Sequence, residues 1–371
     1  FMCLYSEKQA HILCLFVETG MWAFVVPAIP QVQKNIATDS APNRRQKTKN
    51  KSTGGGHQKY HTMLLTLLRG GQTRSFARAF SSNNTKEPFV LLSKQAGVTT
   101  MTMNRPKQLN GWTEGMMKEL QIHFQHCSQD PDTKVAVLTG TGAYYCAGVN
   151  LSGTFKPQHP AKLHSMIQTQ NQMLFELFLD FPKPIIAAVN GPAIGASVTS
   201  ATLCDALLAS DTATFSTPFA RLGVPPEGCS SVNFERFMGR DNANRMMGEE
   251  AWVPTSEEAV EIGLATKAVA ADALQMAAQQ LGESWIATNK QRSLPHTSIE
   301  RGGADLMHTF KLVNAEESAL LADAFTSEKF LEGQRAFLSS KGKTMPALVF
   351  AFAKFTRPLW SQLLPPPYVT K

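Results

Sequence analysis

Residues 184–203 read PIIAAVNGPAIGASVTSATL. The run 185–189 is apolar without alternation, the pattern of a strand buried on both faces. Asn190, Gly191 and Pro192 stop it. The small residues after them pass a second glycine, Gly195, and open a helix. The same order of strand, glycine turn and helix recurs outward from this stretch. VAVLTG (135–140) is a buried strand that enters the turn GTGAYYCAGVNL (140–151). A helix over 160–179 follows, with Leu163, Ile167, Met173, Leu174 and Leu177 along one side. FVLLSKQAGVTTMTMN (89–104) alternates and breaks at Ala96 and Gly97, so it reads as a hairpin. The next helix, 113–130, has Thr113 as its cap and Met116, Met117, Leu120, Phe124 and Cys127 at helical spacing. ALLAS (206–210) and ATFST (213–217) are short strands. Repeated units of this kind predict an α/β fold with helices packed over sheet. From 229 onward the pattern is mostly helical, including 256–265, 272–287 and an amphipathic 303–340. The apolar, proline-rich stretch 344–371 is expected to pack on something.

The 371 residues are 43% hydrophobic and carry a net charge of +7. That charge is local. Residues 1–85 hold 11 Lys/Arg against 3 Asp/Glu, and the remainder is close to neutral. There is no basic face interleaved with aromatics, so nucleic acid is not expected as a partner. Residues 12–30 are apolar, but Glu18, Gly20, Pro27 and Pro30 interrupt them, which argues against a membrane span. Six cysteines show no CxxC spacing and no metal pattern with the histidines, so they read as buried or idle thiols in a reducing compartment. Residues 43–59 are a disordered basic linker by composition. From Met63 to Asn84 there are leucines, then Arg69, Arg74 and Arg78, then Ser and Asn, and no acid occurs between Asp39 and Glu87. That is the pattern of a mitochondrial presequence. The expected organisation is therefore 1–62 disordered or an upstream extension, 63–82 presequence, 86–285 catalytic core and 286–371 a helical oligomerisation region.

TPFARLGVPPEGCSS (217–231) contains one acid, Glu227, and no other carboxylate lies between Asp211 and Glu235. A lone acid among apolar and small residues is either a solvated loop acid or a base whose pKa burial raises. The turns 140–151 and 190–200 let backbone N–H groups face a ligand without side chains in the way. Two converging N–H groups make an oxyanion hole. Taken alone, each turn reads as a plain connection. Cys229 reads as a packing residue, His123 and His126 as solvated or core histidines, Asp205 and Asp211 as turn caps, and Lys183 as facing solvent.

The order MNRPKQLNGW, YYCAGVNL, FPKPIIAAVNGPAIGAS, CDALLASDTATFSTPFARLGVPPEGCSS and AVEIGLATKAV resembles the crotonase (enoyl-CoA hydratase/isomerase) superfamily over roughly 88–285. NGPAIGAS and TPFARLG…PEGCSS look like its Δ3,Δ2-enoyl-CoA isomerase branch. The resemblance implies an α/β spiral of ββα turns with a helical C-terminal region that builds trimers or dimers of trimers. It also implies an acyl-CoA substrate and no metal or other cofactor, coenzyme A entering only as the thioester. By it, Val149 and Ala196 supply the oxyanion N–H groups and Glu227 is the proton carrier. Ala147, Gly148, Asn150, Leu151, Gly195 and Phe219 contact substrate or coenzyme A. Asn150 stands where the family usually has Asp. The two acids of a hydratase fall on Thr199 and Phe219, so hydration is not expected. The implied activity is a shift of a 3-ene to the trans-2-ene in β-oxidation, in the mitochondrial matrix or else the peroxisome. The alternative is a non-catalytic acyl-CoA binder or subunit of a mitochondrial complex.

Overall fold

The computed structural model describes residues 2–7, 10–17, 20–25, 87–150, 159–292 and 303–366, which divide between two units, Phe1–Asn83 and Asn84–Lys371. In the first unit β1 (Met2–Glu7), β2 (Ala10–Val17) and β3 (Gly20–Val25) form an antiparallel sheet. These strands lie within the stretch 1–62 expected to be disordered or an upstream extension. The runs ILCLFV and WAFV are rich in the β-branched and aromatic residues that favour strands. The presequence-like stretch 63–82 lies outside the described residues.

The second unit opens with the expected hairpin, β4 (Val90–Gln95) and β5 (Val98–Met103). Helix α1 (Glu114–Gln129) follows, with the Thr113 side chain accepting the Met116 N–H. Next come β6 (Val135–Gly140), α2 (Pro160–Leu179), β7 (Ile185–Val189), β8 (Ala193–Ile194), the short helix α3 (Ala196–Ala201), β9 (Ala206–Ser210) and β10 (Phe215–Ser216). After them lie α4 (Phe219–Leu222), α5 (Ser230–Met247), α6 (Ser256–Glu261), β11 (Lys267–Val269) and α7 (Leu274–Ala287). The C-terminal helices are α8 (Gly303–Phe325), α9 (Glu328–Ser340) and α10 (Thr344–Thr356).

The main sheet has the order β11-β9-β7-β6-β5-β4 and is parallel except for the hairpin. Parallel neighbours require crossovers, and α1 and α2 supply the first two. Every residue of β6, β7 and β9 is buried, which is why their sequences do not alternate. Val135 and Val137 pack with Leu274 and Ala278 of α7 on one face. Ala136 and Leu138 join the larger core on the other. A second, shorter parallel ladder runs beside the sheet: Trp112 bridges Val149, Cys146 bridges Ala193, and β8 pairs with β10. The second unit thus winds as a spiral, in which successive turns add a strand to the sheet and a step to the ladder, with helices outside. This is the crotonase-like α/β fold with a helical C-terminal region.

Several local expectations change. Met173 of α2 is exposed, and Asn171, Phe175 and Phe178 occupy the buried face instead. The amphipathic stretch 303–340 is two helices, because Ser327 accepts the Phe330 N–H and caps a new start. Lys183 does not face solvent freely. Its ammonium donates to Cys127 O (2.6 Å) and Asp130 O (2.7 Å) and ties down the end of α1. The C-terminal stretch packs as Phe350 and Trp360 against Phe330, Leu331 and Leu338 of α9. Among the described residues no helix is long and apolar enough to cross a membrane.

Candidate active site

The first glycine turn is held by two asparagines. Asn190 accepts the Gly140 N–H (3.0 Å) and donates to Gly142 O (2.9 Å). The fully buried Asn110 donates to Thr141 O (2.9 Å) and Tyr144 O (2.8 Å). The chain then passes Trp112, whose N–H donates to Gly148 O (2.9 Å) while Asn150 N–H donates to Trp112 O (2.9 Å). In a parallel bridge of this kind the intervening residue, Val149, turns its own N–H to the opposite side. Gly148 has φ +78°, and a Cβ there would lie 2.6 Å from Ile194 O, so only glycine fits.

The second turn places Gly195 (φ 60°, ψ −126°) as the N-cap of α3 and Ala196 as its first helical residue. The first N–H groups of a helix have no partner within it. Neither the Val149 nor the Ala196 N–H has an acceptor among the described residues. Ser197, fully buried, couples the two turns. Its hydroxyl reaches Cys146 O (2.9 Å) and Ile194 O (3.0 Å) and accepts the Ile194 N–H (2.9 Å).

Both turns open on one cavity of about 140 Å³. Ala147, Gly148, Val149, Gly195 and Ala196 line it on one side, and Glu227 is the one acid on its wall among the described residues. The rest is mainly apolar, with Ile167 and Leu174 from α2, Phe219 and Leu222 from α4, Leu321 and Phe325 from α8, and Phe330 from α9. Glu227 is 9% exposed. Burial, and secondarily the charge of Glu317, push its carboxyl up to about 8. Its carboxylate has no hydrogen-bond partner among the described residues, while its backbone carbonyl accepts the Ser230 hydroxyl (2.8 Å).

The structure therefore brings together Ala147, Gly148, Val149, Gly195, Ala196, Phe219 and Glu227. Asn150 does not line the cavity; its N–H completes the Trp112 bridge. Leu151 lies outside the described residues. Thr199 is buried, and its hydroxyl donates to Ala196 O (3.2 Å). Cys229 is a packing residue whose thiol donates to Phe310 O (3.3 Å) and is pushed up by burial. Asp205 does more than cap a turn: it accepts the Ile185 N–H (2.8 Å) and pairs with Arg292 (2.7 Å), which joins neighbouring strands. Asp211 accepts the Ala271 N–H (3.2 Å).

Two polar residues near Glu227 do not emerge from the motifs. Asn171 of α2 lines the cavity and donates to the Ser318 hydroxyl (3.1 Å). Glu317 of α8 is 3% exposed and accepts two N–H groups from the start of α5. Both lie within apolar helical stripes, where a polar side chain at a core position is the available signal.

The family described as enoyl-CoA hydratase/isomerase matches residues 93–344. Enoyl-CoA delta isomerase 2 of Rattus norvegicus is 31% identical over 300 residues, 77% of this chain and 73% of that protein. Enoyl-CoA delta isomerase 2 of Homo sapiens is 35% identical over 266 residues, 68% of this chain and 64% of its own. Enoyl-CoA delta isomerase 3, peroxisomal, of Mus musculus is 32% identical over 264 residues, 68% of this chain and 79% of its own. A solved enoyl-CoA hydratase/isomerase from Pseudoalteromonas atlantica T6c shares the fold, with a TM-score of 0.59 at 24% identity, over 68% of this chain and 97% of that one.

Proposed function

The chain belongs to the enoyl-CoA hydratase/isomerase family, and from that premise we propose that it is an enoyl-CoA isomerase that converts a 3-enoyl-CoA to the trans-2-enoyl-CoA. The observation that carries this reading is that, among the described residues, one cavity carboxylate shares an apolar pocket with two backbone N–H groups that have no acceptor.

Glu227 takes a proton from C2 of the substrate. The C–H electrons move into C2–C1 and the thioester oxygen takes the negative charge, giving a dienolate. The N–H groups of Val149 and Ala196 bind that oxyanion, each worth ~3 kcal/mol of barrier. Glu227 then returns the proton at C4, and the double bond is left between C2 and C3. One base used twice suffices, since the reaction has no net proton change. A carboxyl raised to about 8 is less often ionised at neutral pH but is a stronger base when it is. A hydratase needs two acids to manage water, and by the family resemblance their positions hold Thr199 and Phe219.

Coenzyme A enters this scheme as the thioester, and the chemistry calls for no further cofactor. Removal of 3-enes suits the β-oxidation of unsaturated acyl chains. The Arg- and Ser-rich, acid-free stretch before the core supports delivery to the mitochondrial matrix, and the murine relative named as peroxisomal makes the peroxisome the alternative. The test is incubation of the full chain with 3-hexenoyl-CoA and 3-dodecenoyl-CoA, reading the 2-enoyl product. Binding of both thioesters with no product would replace the isomerase reading with that of a non-catalytic acyl-CoA binder.

A further inference from the structure

Three groups lie outside the scheme above: the part-buried His164–Asp323 pair between α2 and α8, the exposed apolar side of α10, and Glu317. Glu317 reaches the segment that follows Glu227. It lies on α8, 90 residues beyond Glu227, and is almost completely buried. Its Oε2 accepts the Cys229 N–H (2.6 Å) and its Oε1 accepts the Ser231 N–H (2.9 Å). Those N–H groups belong to the N-cap and second helical residue of α5, two and four residues after Glu227. Cys229 has φ +64°, an unfavourable conformation for a residue with a Cβ that persists only where its surroundings impose it. No side chain from α5 itself caps that helix start. The carboxylate from α8 does so instead.

Helix α8 is in turn anchored along its length to α2. Lys311 pairs with Asp180 (2.5 Å), Asn314 donates to Gln172 O (2.9 Å), Asn171 donates to Ser318 (3.1 Å), and His164 meets Asp323 (2.8 Å). Asn314, Glu317 and Leu321 share one face of α8 by their three- and four-residue spacing, and Leu321 is a wall of the cavity.

We propose that Glu317 is a positioning residue for Glu227: bidentate acceptance of the Cys229 and Ser231 N–H groups holds the turn that aims the base. The proposal rests on Glu227 being the proton carrier. Its second consequence is electrostatic. Two carboxyls buried close together disfavour each other's ionisation, and the charge of Glu317 adds to burial in raising Glu227. Glu317 is itself raised by burial, against the lowering effect of the Ser231 and Cys229 donors, with Glu316 of the same helix adding a small rise. The Cys229 thiol, held up by burial, is the remaining titratable neighbour from α5, and α2 brings the neutral Asn171.

The experiment compares wild type, Glu317→Gln, Glu317→Asp and Glu227→Gln as full chains, with kcat, KM and the pH profile for 3-hexenoyl-CoA, and circular dichroism for folding. Glutamine keeps the shape but presents an NH2 where an N–H needs an acceptor. Misplacement of the base should lower kcat ~10- to 100-fold while KM moves less than about threefold. The acid limb of the profile should move to lower pH, because a negative neighbour of Glu227 is gone. Aspartate keeps the charge one methylene short, so its limb should stay near that of wild type with an intermediate kcat. An unchanged kcat in folded Glu317→Gln overturns the proposal, as does a lowered kcat with an unmoved limb, which would indicate general loosening. Failure of both Glu317 variants to fold would make the residue structural only and overturn it too. Activity retained by Glu227→Gln would instead refute the isomerase scheme on which the proposal rests.

Discussion

If Glu227 is the base and its carboxyl is raised to about 8, the rate must climb through neutral pH. Only about 9% of the carboxyl is ionised at pH 7 and about 91% at pH 9, so kcat/KM should rise about tenfold over that span. An ordinary carboxylate, ionising near 4.5, would give no rise there. The same shift has a stability signature. Between about 4.5 and about 8 the unfolded chain has lost the Glu227 proton while the folded chain keeps it. The unfolded state then binds fewer protons, so stability falls as pH rises through that window. Glu227→Gln removes the penalty. The variant should match wild type near pH 4 and exceed it at pH 8 by on the order of a few kcal/mol, since each pKa unit corresponds to about 1.4 kcal/mol. The assay is initial rates on 3-hexenoyl-CoA from pH 6 to 9.5, with urea unfolding of both proteins at pH 5 and pH 8. A flat profile between pH 7 and 9 would refute the buried-base argument. So would a Glu227→Gln enzyme that retains more than about a tenth of wild-type turnover, because loss of a general base costs ~10²-fold or more.

Ala196→Pro deletes an oxyanion N–H and should cut turnover ~10²-fold, whereas Ala196→Gly and Val149→Ala keep the donors and should be mild; near wild-type rates in a folded Ala196→Pro protein would reduce the turns to connections. Import into mitochondria should be followed by cleavage near Phe80 and Ser81, so N-terminal sequencing that finds Met63 retained counts against the presequence. Phe355 and Leu359 are 83% and 71% exposed at the end of the α10 region, and the chain should sediment as a trimer or dimer of trimers. Phe355→Asp with Leu359→Asp should lower that mass, and a monomeric wild type at micromolar concentration would contradict it.

The strands that carry the turns were legible because burial on both faces leaves a signature of its own, unbroken apolar runs at 135–140, 185–189 and 206–210 that stop at glycine or small polar residues. Glu227 was legible because it stands alone among small and apolar neighbours. What holds Glu227 was not legible in the same way. Leu306, Phe310, Val313, Glu317 and Leu321 recur along one stripe of α8, so an acid at 317 occupies an apolar position, a local signal that something must satisfy it. Its partners, Cys229 and Ser231, lie 88 and 86 residues earlier, and no periodicity links them. The choice between Met173 and Asn171 on α2 was lost for the same reason, since the burying neighbour is α8 rather than the sheet. The groups proposed to react thus come from the turns after β6 and β7 and from the loop after α4, where motif and chemistry coincide. The group proposed to orient the base comes from α8, which packs against α2 and supplies Phe310 to the main core. On the proposed scheme, substitution of Glu317 should therefore disturb proton transfer before it disturbs the sheet, and the helical C-terminal region would serve the chemistry as well as the fold.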